Sequence, residues 1–103
     1  DEAGRLWILT DGDVSNTGDF AGMGNNQMLC ADPNTGEIRR FMVGPVGCEV
    51  TGISFAPDQK TLFVGIQHPG ENGGSTFPEH LPGGKPRSSV MAISREDGGI
   101  VGA

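Results

Sequence analysis

The chain is short of several things that would have pointed elsewhere. It has no tyrosine, a single tryptophan and a modest apolar share of 35% over 103 residues, enough for one small core and no second one. Basic residues number 7 against 13 acidic ones, a formal net charge of −6. That balance repels phosphate backbones and argues against nucleic acid as a partner, while favouring bound cations. Two cysteines, Cys30 and Cys48, stand too far apart for the paired spacing of a zinc or redox site, so they fix neither a metal nor a compartment and read as small buried side chains. Apolar runs such as "LFVGI" fall well short of a membrane span, and "DEAGRLW" at the start has neither an initiator Met nor a signal-peptide pattern. The chain therefore reads as a piece of something longer. Helical periodicity is missing too, as are a Gly-x-Ser-x-Gly elbow, a phosphate-binding loop and a Cys with a spaced His partner, which leaves nucleophilic catalysis and nucleotide binding without support.

What is present is a series of short segments rich in β-branched and aromatic residues, divided by turn residues. Strands are expected at 5–10, 26–31, 37–43, 50–56, 61–67 and 89–95, with a last short strand in "GIVGA" at 99–103. The fold class is all-β. "DPNTG" (32–36) and "PDQK" (57–60) carry the Pro, Asp and Asn chemistry of tight hairpin turns, whereas 11–24 and 68–87 are long and glycine-rich, as functional loops often are.

Antiparallel four-stranded units, tight at one end and open at the other, are the blades of a β-propeller. On that reading 1–49 is an incomplete blade with its inter-blade link, and 50–103 is a second blade. The fragment spans nearly two blades of a single larger unit. The link "GPVGCE" should then share a face with both long loops, placing Glu49 at the mouth of an innermost strand. Missing neighbour blades would leave strand edges and apolar faces open, so the chain alone is expected to self-associate.

Glu49 has two readings: a ligand for a hard cation such as calcium or iron(III), or a carboxylate that caps backbone N–H groups or pairs with a base. In "DGDVSNTGDFAG", Asp11, Asp13 and Ser15 alternate like the opening of a calcium loop. Asn16 and Gly22 stand where an EF-hand needs Gly and a bidentate Glu, so only a looser calcium contact by Asp11 or Asp13 remains, against an Asx-turn. His68, in "QHPGEN" with Glu71, reads first as a strand-end side chain bonded to the loop backbone and second as a metal ligand or proton-transfer group close to a substrate phosphate. Lys85 and Arg87 belong to the open face, where Arg87 could make a bidentate phosphate contact or simply be a solvated loop charge. Arg39 and Arg40 sit on an outer strand, where charge discourages sheet-to-sheet association.

Nearly the whole chain, through "GNNQMLCADPNTGEIRRFMVGPVGCEVTGISFAPDQKTLFVGIQHPGE", "STFPE" and "PRSSVMAISREDGG", closely resembles the C-terminal part of the PhoX-type alkaline phosphatases. "GCEVTG", "APDQKTLFV" and "IQHPGE" are the most specific elements. The resemblance implies an exported, periplasmic or extracellular bacterial phosphomonoesterase built on a six-bladed propeller, with calcium and iron at the channel mouth. It places Glu49 among the metal ligands and puts Asp11 and Arg87 beside the site. The other ligands should come from blades outside this chain, among them a cysteine that neither Cys30 nor Cys48 matches. Two alternatives stay open: a calcium-dependent propeller lactonase, with no iron, and a non-catalytic propeller whose loops grip a protein and tolerate Glu49→Gln.

Overall fold

The computed structural model describes residues 1–12 and 17–103, so Asp13 and Ser15 of the calcium-loop-like pattern lie outside the described residues. Six strands are seen among them: β1 (Leu6–Leu9), β2 (Gln27–Ala31), β3 (Ile38–Val43), β4 (Glu49–Phe55), β5 (Thr61–Gln67) and β6 (Ser89–Ser94). They form two antiparallel three-stranded sheets, ordered β1-β2-β3 and β4-β5-β6. A single 3₁₀ turn at Gly18–Phe20 is the one helical element among the described residues. The architecture is all-β and consistent with a fragment of a β-propeller.

The seventh strand expected at 99–103 is not formed. Gly98 and Gly102 take positive φ values of 71° and 88°, which break an extended run. Val101 instead turns inward, 2% exposed, and its N–H donates to the Gln59 carbonyl in the β4–β5 turn at 3.0 Å. The first sheet has the three strands expected of an incomplete blade, whereas the second has three where a four-stranded blade was expected, and β6 keeps an outer edge with no ladder partner among the described residues.

Alternation on β5 explains the core. Leu62, Val64 and Ile66 are buried on one face while Phe63 on the other is 40% exposed, the period-two pattern of a strand with one covered face. Met28 from β2 joins Cys48, Val50, Leu62, Val64, Ile66, Phe77 and Val101 in one cluster that spans both sheets. Each of the larger side chains contributes roughly 1.5–3 kcal/mol by leaving water. Trp7 ties the sheets together, meeting Phe41 of β3 edge-on at 4.9 Å and Phe55 of β4 at 5.6 Å. Its indole N–H donates to Asp1, whose carboxylate also accepts from the Arg5 backbone and guanidinium at 2.9 and 2.8 Å.

The connections sort by length. Tight turns close one end: Asp32 accepts the Asn34 N–H in an Asx-turn at 2.8 Å, and Asp58 accepts the Lys60 N–H at 3.0 Å. At the other end β1, β3 and β5 run out into the loop beginning at Asp11, the link 44–48 and the loop beginning at His68. The link is threaded closely. Gly44 donates its N–H to the Asn26 carbonyl at 2.8 Å, and a Cβ there would collide with the Cys48 sulfur and lie 3.1 Å from Val50. Gly70 donates to the Val46 carbonyl at 2.7 Å and so ties the second loop to the link.

Candidate functional site: an acid pair at the loop end

Three strand ends bring the candidate residues together. Glu49 opens β4 opposite Gln67, the last residue of β5, so the next residue, His68, comes beside it. The Val50 N–H donates to the Thr10 carbonyl at 3.3 Å, which draws the exit of β1 alongside and brings in Asp11. Asp11, Gly12, Asn26, Gly47, Cys48, Glu49, His68, Glu71 and Asn72 line a cleft of about 190 Å³.

Asn26 organises this end. Only 8% exposed, it accepts at Oδ1 from the Gly12 N–H at 2.7 Å and the Thr10 hydroxyl at 2.9 Å, and donates from Nδ2 to the Gly12 and Cys48 carbonyls at 3.3 and 3.0 Å. Every hydrogen-bonding position of one buried amide is used to splice the β1 exit to the β4 entry. Sequence reasoning placed Asn26 at the start of a strand and saw no more in it. The pair of asparagines after Gly24 was the available signal, since a buried Asn at a strand start needs partners in neighbouring segments.

Glu49 is held by a base. Its Oε1 lies 2.9 Å from His68 Nε2, while His68 Nδ1 lies 3.1 Å from the Gly47 carbonyl and 3.4 Å from Glu71 Oε2. Both ring nitrogens thus face acceptors only, which suits an imidazolium that donates from each. Accordingly the Glu49 hydrogen bond, offset by desolvation, raises the His68 pKa above its ordinary 6.5. Asp11 is shifted upward as well. Partial desolvation against the loop comes first, although much of the residue faces solvent, and then the Glu49 carboxylate at hydrogen-bonding range; His68 pulls the other way. Burial likewise pushes the Cys48 thiol up, and both cysteines are free.

Two adjacent carboxylates are hard oxygen donors of the type that suits calcium and that iron(III) accepts. The donor chemistry fits a hard cation. The donor number does not complete one: among the described residues no three His, Cys, Asp or Glu side chains gather as an ion would need, against the roughly six to eight oxygens calcium takes. Arg87 does not line the cleft; it is exposed and its guanidinium pairs with Glu79 in the second loop. A hollow at the opposite end, about 320 Å³, includes Arg5 and Arg39, whose guanidiniums already engage Asp1 and Glu37. Among the described residues no helix is long and apolar enough to cross a membrane.

The family model "Alkaline phosphatase PhoX" matches residues 1–70. Over its whole length the chain is 92% identical to a solved structure, Pseudomonas fluorescens PhoX in complex with vanadate, a transition state analogue, and superposes on it with a TM-score of 0.96. It spans 18% of the length of that solved chain. No curated protein matches. With both the family model over most of its residues and a PhoX structure over all of them, the chain belongs to the PhoX alkaline phosphatase family.

Proposed function

We propose that this chain is a segment of a metal-dependent phosphomonoesterase, to which it contributes the carboxylates of Asp11 and Glu49 as ligands to a hard-metal centre. The acid pair at the loop end carries the reading: two carboxylates placed together, with desolvation and mutual repulsion raising the Asp11 pKa, are best relieved by a shared cation. Support for phosphoryl chemistry comes from the 92% identity to a phosphatase solved with vanadate, a transition state analogue.

Calcium is the metal that the carboxylate pair suits best, with iron held by residues outside this chain. When bound, such metals supply positive charge that polarises the phosphoryl group and stabilises the oxygens of attack and departure. This chain's own residues do the holding. Glu49 lines the cleft with one carboxylate oxygen resting on His68, and its other oxygen would serve the metal. Asn26 fixes the β1 exit so that Asp11 stands against Glu49. Arg87 would reach a phosphate only by leaving Glu79, and in this reading it serves at most as an outer contact for substrate. The segment alone holds too few donors and is expected to show no turnover.

Glu49→Gln in the full-length protein carrying this segment tests the reading. It keeps shape and removes charge, and kcat for a chromogenic phosphomonoester should fall by about 10²-fold or more. Unchanged kcat and metal content would overturn the assignment.

A further inference from the structure

His68 is the one non-glycine residue of the cleft in the left-handed region, with φ at 38°, a conformation that costs a β-carbon-bearing residue energy and persists only where neighbours enforce it. The neighbours are identifiable. Its backbone N–H donates to the Ser88 hydroxyl at 2.9 Å, one ring nitrogen is braced on the Gly47 carbonyl at 3.1 Å, and the other meets Glu49 Oε1 at 2.9 Å. The brace and the carboxylate come from the same link and strand entry, separated only by Cys48, which is fully buried. A glutamate with three rotatable bonds, partly exposed at a strand mouth, would otherwise sample several orientations.

We infer that His68 is a positioning residue: its imidazole, anchored on the Gly47 carbonyl, holds one oxygen of Glu49 and so fixes the other toward the cleft where a cation binds. The inference rests on Glu49 being a ligand, as proposed above. Ligating carboxylates that are themselves hydrogen-bonded in this way lose about 10–100-fold in metal affinity when the outer partner is removed.

The experiment is calcium titration by calorimetry on the metal-stripped full-length protein, in wild type, His68→Ala, His68→Gln and Glu49→Gln, with thermal unfolding of each stripped protein alongside. Calcium affinity should drop about 10–100-fold in His68→Ala and recover substantially in His68→Gln, whose amide N–H can still donate to Glu49. Wild-type affinity in His68→Ala together with lost affinity in Glu49→Gln would overturn the positioning role alone. Equal losses in the Ala and Gln variants, or losses that only track a lower unfolding temperature, would overturn it too. Wild-type affinity in Glu49→Gln would overturn the ligand assignment and this inference with it.

Discussion

The two ends of the molecule each hold an aspartate, and they treat it in opposite ways. At the tight-turn end Asp1 has a side chain only 1% exposed, surrounded by donors from Arg5 and Trp7. At the loop end Asp11 is pressed toward another acid, Glu49, with a single histidine to offset the pair. The first arrangement is complete as it stands; in the second, like charges face each other and one histidine offsets them only in part. A carboxylate's burial says little about its purpose until the sign of its neighbours is known.

The sharpest way to break the contrast is Asp1→Ala. It strands the Arg5 and Trp7 donors beneath the sheet-to-sheet seam and should cost roughly 2–4 kcal/mol, discounted because Arg5 is partly solvated. Urea unfolding measures it, and an unchanged midpoint would mean that the Asp1 cluster is ornamental. Asp11→Asn should have the opposite sign in metal-free protein. Removing one of two like charges raises the unfolding temperature modestly in chelator, while calcium titration of the full-length protein shows weaker binding; destabilisation in chelator would show that the acids are not in conflict. The smallest effect concerns Asp97, whose pKa is held below its ordinary 3.8 first by Arg95 and then by the Gly99 N–H. A folded-state pKa below the unfolded one means that its contribution is fully present above pH 3.8 and is lost as pH falls through the folded value. The stability gap between wild type and Asp97→Asn should therefore stay level at neutral pH and close in acid, as chemical denaturation across pH would show.

Six strands were legible because runs such as "TLFVGIQ" combine β-branched residues with turn signals on both sides, and their ends agree with the observed elements to within a residue or so. "GIVGA" misled because its apolar pair resembles a short strand, yet glycines before and after it permit a turn that sends Val101 into the core instead. At the site, residue types gave away Glu49, Asp11 and His68 one at a time. The blade reading put Glu49 on one face with the loops that begin at Asp11 and His68, but their direct contact was not legible, since it depends on Thr10 bonding to Val50 and on Asn26 spanning three segments, contacts between residues distant in the chain. Asp1 drew no notice for the same reason: its partner Trp7 acquires meaning only once Phe41 and Phe55 stand beside it.

Gly44 carries a consequence for how relatives of this chain are compared. With the Cys48 sulfur, Val50 and the Asn26 carbonyl closing around it, position 44 has no volume for even a methyl group. Glycine should hold that column across the family for want of space alone. An invariant residue a few positions before Glu49 would then record a steric requirement of the backbone crossing, and reading it as chemistry would be a mistake.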